Sequence, residues 1–256
     1  MKIKLSIITL TMALCFSLIC CTGDKHSTES PADTDVARLS CTLLDESEDF
    51  GMSYIDSFIF IGESTTYHMK SRAVLSGGSN TKQIWAPRSG TMTLDHSVDT
   101  IKILSPDTGE ELTFFEAAAR KRPKYVIMCF GLNGAVQNIK RGEDYFKACY
   151  KKLINAIKAA SPETKIILES AFPVAKNIDM SAYSIDQETL NEYIDTINNW
   201  TYSLADEENL RYIDTAKILK DNNNDLKNEY QAGDGYHLTK TAYEAILYYI
   251  RTHGYS

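Results

Sequence analysis

The chain reads as one α/β domain built on a parallel sheet with helices on both faces. Three observations predict this. Residues 57–62 and 125–130 are short, unbroken apolar runs, with Phe58, Ile59, Phe60 and Ile61 in the first and Tyr125 to Phe130 in the second. Runs of that length without alternation fit strands buried on both faces. Segments with apolar residues at helical spacing separate these runs from further short ones, and strands that alternate with helices pair in parallel. Right-handed crossovers then bring the carboxyl end of every strand to one edge.

The elements follow in order. Residues 57–62 form the first strand and end in Gly62, and a helical stretch at 65–73 comes after Ser64. Residues 76–80 are a loop, and 82–86 read as a second strand closed by Pro87-Arg88-Ser89-Gly90. The stretch 99–113 holds a turn at Pro106-Asp107-Thr108-Gly109 between two short extended pieces. Thr113 followed by Glu116 is a capping-box pattern for a helix to Arg120. The central strand at 125–130 ends in Gly131-Leu132-Asn133-Gly134. A helix at about 143–160 carries Phe146, Cys149, Leu153, Ile154 and Ile157 on one face. Strands at 165–170 and 210–213 bracket a helix at 186–204, and a last helix spans 239–253. There is no internal repeat and no composition shift, so one domain is expected.

The amino terminus stands apart from this pattern. Lys2 and Lys4 precede an almost uncharged apolar stretch from Leu5 to Cys20, the pattern of a secretory signal at residues 1–20. The stretch is short for a stable membrane span. Leu18-Ile19-Cys20-Cys21 resembles a bacterial lipoprotein box. Cys21 fits the lipidated position better than Cys20, because Leu18 then lies three residues upstream and a small residue immediately precedes the cut. An uncleaved anchor or an ordinary cleaved signal is the plainer alternative. Residues 21–45 read as a flexible tether, which leaves 46–256 for the domain. Residues 41–56 mix a few apolar positions with acids and give no definite element. The resulting expectation is an extracytoplasmic envelope lipoprotein, held at the membrane by its lipid.

Composition narrows the function classes. Hydrophobic residues make up 43% of the 256, and the net charge is −7 with no basic cluster, so nothing marks a nucleic-acid partner. Cys15, Cys20 and Cys21 belong to the leader. The remaining Cys41, Cys129 and Cys149 are too widely spaced for a metal site or a disulfide framework.

Polar residues suited to acyl transfer fall where strands end. Ser64 follows the first strand, Asn133 follows the third, and Asp234-Gly235-Tyr236-His237 precedes the last helix. A serine hydroxyl needs a base, and a histidine base needs a carboxylate to fix its tautomer. Preset N–H donors must receive the oxyanion. The amides of Ser64 and Gly90 and the Asn133 side chain are the candidate donors, with Gly77 or Gly78 as alternatives to Gly90. Taken singly, Ser64 also reads as a helix cap and Asn133 as a turn residue. His68, four residues after Ser64, is a rival base on the same helix. It is set aside because it points along that helix, whereas His237 arrives from a separate loop. His96 lacks a nearby acid partner in a recognisable motif.

Together these motifs resemble the SGNH (GDSL-type) hydrolase family. Its motifs stand here as Gly62-Glu63-Ser64, Gly90, Gly131-Leu132-Asn133 and Asp234-Gly235-Tyr236-His237, in the family's order. The resemblance implies a three-layer α/β/α sandwich with a five-stranded parallel sheet of flavodoxin-like order. It also implies serine esterase activity with Ser64 as nucleophile, His237 as base and Asp234 as its orienting acid, without metal or organic cofactor. Substrates in the family range from acetylated carbohydrates to lysophospholipids, so the expected partner is an ester of carbohydrate, such as cell-wall glycan, or of lipid. A non-catalytic glycan-binding module and an acyltransferase using the same residues are the alternatives. Glu63 departs from the family's Asp, which ties down the turn; a longer acid keeps that role or shifts the turn.

Overall fold

The structure, a computed structural model, describes residues 42–181 and 184–255. The leader, the lipobox at Cys20 and Cys21, Cys41 and the tether before Thr42 lie outside the described residues.

Five parallel strands form the sheet: β1 (Phe58–Gly62), β2 (Ile84–Trp85), β5 (Tyr125–Cys129), β6 (Lys165–Glu169) and β7 (Arg211–Ile213), in the order β2-β1-β5-β6-β7. This is the order expected of a flavodoxin-like sheet. The remaining strands, β3 (Lys102–Leu104) and β4 (Glu111–Thr113), make a separate antiparallel hairpin around the predicted turn.

The strand side chains divide by parity, as a two-residue period requires. Ile59, Ile61, Val126, Met128, Ile166 and Leu168 enter one core. Phe58, Phe60, Tyr125, Ile127, Ile167 and Ile213 enter the other. Helices α3 (Phe114–Lys121), α4 (Ala135–Arg141), α5 (Glu143–Ala160) and α6 (Gln187–Glu207) supply the first core. Helices α1 (Gly51–Ile55), α2 (Ser64–Ser71), α7 (Ala216–Leu219) and α8 (Lys240–Arg251) supply the second. Both faces of the sheet are thus covered, which explains why its strands are apolar throughout rather than alternating. The expected α/β/α sandwich is observed.

The expected capping box forms at α3: the Thr113 hydroxyl accepts from the Glu116 amide (3.2 Å), and the Glu116 carboxylate accepts from the Thr113 amide (2.8 Å). Several boundaries differ from the sequence expectation. The second strand shrinks from 82–86 to two residues. Gln83 lies just before it, its backbone carbonyl still accepting from the Phe60 amide of β1 at 2.7 Å, while its side-chain amide donates to the Ile55 and Phe58 carbonyls at 2.6 and 3.2 Å. Helix α4 is unanticipated; Gly142, at φ 87°, separates it from α5. Packing begins earlier than residue 46, since Leu44 is buried and its amide donates to the Tyr212 carbonyl of β7 at 2.8 Å. Among the described residues, no helix is long and apolar enough to cross a membrane.

Candidate active site

The site forms at the carboxyl ends of β1 and β5 and in the loop before α8. Strand β1 must end in glycine. A Cβ on Gly62 would lie 2.5 Å from the Cys129 carbonyl oxygen and 2.2 Å from Thr66 Oγ1. That absence of a side chain lets the chain turn tightly against β5, so that extended Glu63 caps α2 and Ser64 opens it. The Ser64 amide belongs to the first turn of a helix, where amides have no intrahelical acceptor.

Glu63 is 2% exposed and reaches across to the loop after β5. Its Oε1 accepts from the Gly131 amide (3.0 Å) and its Oε2 from the Asn133 amide (2.9 Å). The longer acid therefore ties the turn before Ser64 to the Asn133 loop. Burial raises its carboxyl to about 7, against the amides of Gly131, Asn133 and Leu132, which favour the ionised form. Gly131 sits at φ 146°, where a Cβ would come within 2.9 Å of Ala171 and Ile197 side-chain atoms. The Asn133 side-chain NH₂ donates to Thr91 Oγ1 (3.2 Å) and to the Met92 carbonyl (3.3 Å), which fixes its orientation.

The loop before α8 supplies Asp234 and His237. Ser64 Oγ lies 3.0 Å from His237 Nε2, and His237 Nδ1 lies 2.6 Å from Asp234 Oδ2. The other oxygen of Asp234 accepts from the backbone amides of His237 (2.8 Å) and Tyr236 (3.1 Å), so the carboxylate is held before it meets the imidazole. Partial burial opposes ionisation of Asp234, but these amides and the His237 ring hold its carboxyl below the usual range. Gly235, at φ 87°, packs against Ile178, where a Cβ would sit 2.7 Å from the Ile178 Cβ. The loop is thereby pinned to the segment after β6, and the Ala175 amide donates to the Gly235 carbonyl at 2.7 Å.

The structure thus brings Ser64, His237 and Asp234 into one hydrogen-bonded chain, with Asn133 tied to Glu63, the residue before Ser64. Gly90 is placed differently. Its amide closes a turn onto the Pro87 carbonyl at 2.9 Å, and its α-carbon faces the Tyr67 ring, 2.9 Å from where a Cβ would be. Gly77 lines a cavity with Asp56 and Phe58 at the amino end of β1, the opposite edge of the sheet from Ser64, and Gly78 follows it. Thr91 and Met92, the partners of Asn133, carry no sequence signal beyond following Gly90.

Beside Asn133 opens a cavity of about 250 Å³ lined by Thr93, Asp95, His96, Gln137, Arg141 and Tyr145, among others. His96 finds its place there. Cys129 and Cys149 are buried free thiols. Among the described residues, no group of three His, Cys, Asp or Glu side chains gathers as a metal site.

The chain is similar to several proteins of known structure. A Streptococcus pneumonia protein provisionally assigned as a platelet activating factor superposes with a TM-score of 0.52 at 21% identity, over 85% of this chain and 96% of the other. A provisionally assigned lipolytic protein of the G-D-S-L family from Desulfitobacterium hafniense gives 0.48 at 19%, over 76% and 97%. A catalytic mutant of an acetylxylan esterase from Geobacillus stearothermophilus gives 0.43 at 17%, over 83% and 97%. Of the three, the first supports the fold. No curated protein matches the sequence significantly. The family model of GDSL-like lipases and acylhydrolases matches residues 60–245, the span that runs from β1 into α8, and the chain belongs to that family.

Proposed function

We propose that the protein is a serine ester hydrolase that removes short acyl groups, acetyl foremost, from carbohydrate. The observation that carries this reading is the chain of contacts from Ser64 Oγ to His237 Nε2 (3.0 Å) and from His237 Nδ1 to Asp234 Oδ2 (2.6 Å). His237 takes the Ser64 proton as the oxygen attacks the ester carbonyl, and Asp234 stabilises the imidazolium and its tautomer. The proton then passes to the departing alcohol. Water, activated by the same imidazole, releases the acid.

The oxyanion is received by the Ser64 amide at the helix start and by the Asn133 NH₂. The Asn133 bond to Thr91 is long at 3.2 Å and goes to a hydroxyl, a partner that a developing oxyanion outcompetes. Gly90 donates as a third group only if substrate opens the 87–90 turn, because its amide is committed to Pro87.

The substrate class rests on the cavity beside Asn133. Its Gln137 and Arg141 side chains offer polar groups to a hydroxylated ring, and Leu94 and Tyr145 offer the apolar area on which such a ring can lie. In the cell, we place the enzyme outside the membrane, tethered through a lipid on Cys21, because the leader ends in Leu18-Ile19-Cys20-Cys21. Metabolic labelling with a fatty acid, lost in Cys21→Ala, tests the anchor. Acid release from acetylated oligosaccharides and from long-chain p-nitrophenyl esters tests the activity. Acetate release that disappears in Ser64→Ala is expected; hydrolysis confined to long acyl chains would overturn the substrate assignment.

A further inference from the structure

His68 has no part in the proton path described above, yet it touches that path directly. It lies one helical turn after Ser64 on α2, and its ring stacks on the His237 imidazole with centroids 4.0 Å apart and planes 26° apart. The His68 Nδ1 is buried and, among the described residues, has no hydrogen-bond partner. A proton placed on that nitrogen would be a buried N–H without an acceptor, which is unfavourable. The ring is therefore held neutral, with its proton on Nε2.

Its surroundings act the same way. Burial disfavours the charged ring most, and the charges of His237 from the facing loop and Arg72 from its own helix add to this; only Asp234 opposes them. The lowered His68 titration thus agrees with the geometry. Two imidazoles are stacked, and the environment decides which takes the proton: His237 has a carboxylate on Nδ1, and His68 has nothing there.

We propose that His68 is a positioning residue for the base: an aromatic platform that fixes the plane of the His237 ring toward Ser64 and stabilises the imidazolium through its π face. This rests on the assignment of His237 as the base. His68 itself neither gives nor accepts a proton. The stack explains why a histidine on the nucleophile's own helix can be intimate with the site without being the base.

The test uses the full-length chain, with p-nitrophenyl acetate as probe. His68→Ala should lower kcat about 5- to 30-fold while KM stays within about twofold. His68→Phe, which keeps an aromatic face and cannot titrate, should retain kcat within about threefold. In ¹H–¹⁵N spectra, His68→Ala should speed the exchange of the His237 Nδ1 proton with water as the ring loses its fixed plane, and His68→Phe should leave it near wild type. Wild-type His68 should show the Nε2–H tautomer and remain neutral while His237 titrates. Equal kcat and equal exchange of the His237 Nδ1 proton in all three proteins would overturn the proposal. So would a His68 that protonates with or before His237 in the wild type, a result that needs no variant to fold. If the wild type fails to hydrolyse esters through Ser64, the esterase reading falls, while the spectra still judge the stack.

Discussion

Replacing Glu63 with Gln probes the device that joins the nucleophile turn to the Asn133 loop. The carboxyl titrates at about 7 in the folded protein, against an ordinary value of 4.5, because burial outweighs the amides that bind it. A folded-state value above the unfolded one means the folded protein binds the extra proton between the two. Stability from this group is fully present below about pH 4.5 and is lost as pH rises through 7. Between pH 5 and pH 8 the loss is about 2 to 3 kcal/mol for a shift of this size. Glu169 is equally buried and also raised to about 7, with only the Thr215 hydroxyl opposing burial, so the wild type carries two such terms. Glu63→Gln cannot titrate and should remove about half of the decline. Urea unfolding at pH 5, 6, 7 and 8 reads this as the difference between two curves, so groups common to both proteins cancel. The variant should also slow ester hydrolysis by about 10- to 100-fold at pH 8, because a Gln oxygen accepts one amide where the carboxylate accepts two. Parallel stability curves for wild type and variant would refute the reasoning. They would mean that the amides at Gly131 and Asn133 outweigh burial and keep Glu63 ionised throughout.

Two further outcomes follow from the site. Asn133→Ala removes a donor aimed from the β5 loop and should lower kcat about 10²- to 10³-fold with little change in unfolding midpoint, since the side chain bonds only Thr91 and Met92; steady-state kinetics beside a thermal melt checks both. Gly62→Ala forces a methyl within 2.5 Å of the Cys129 carbonyl, so it should spread β1 from β5 and destabilise by about 2 to 4 kcal/mol in urea unfolding, with activity lost in parallel.

Much of the architecture was legible because burial on both faces leaves an unmistakable record. Phe58 to Ile61 and Tyr125 to Cys129 read as interior strands, and they pair in register from Phe58 opposite Tyr125 to Gly62 opposite Cys129. The convergence of Ser64, Asn133 and the Asp234–His237 loop followed from each lying at a strand end or before the last helix, since parallel topology brings those ends to one edge. What escaped the sequence depends on where side chains reach. Glu63 could be recognised as a departure from Asp, but its span to two amides of another loop is a tertiary distance with no periodicity. His68 was set apart from His237 by its place on α2, while its stacking on His237 depends on the path of a loop about 170 residues away. Gly90 was chosen from order alone. Order does not reveal that its amide is drawn into a turn by Pro87. The packing of residues 42–45 was hidden because they include only two large apolar side chains, and it is a backbone bridge to Tyr212 that holds them.

The most direct measurement of the central claim is labelling with a fluorophosphonate, followed by mass mapping of the modified residue. The account predicts one adduct, on Ser64 Oγ, present in the folded wild type, abolished in Ser64→Ala and strongly slowed in His237→Ala. A folded wild type that takes no label, or an adduct on any other residue, would contradict it.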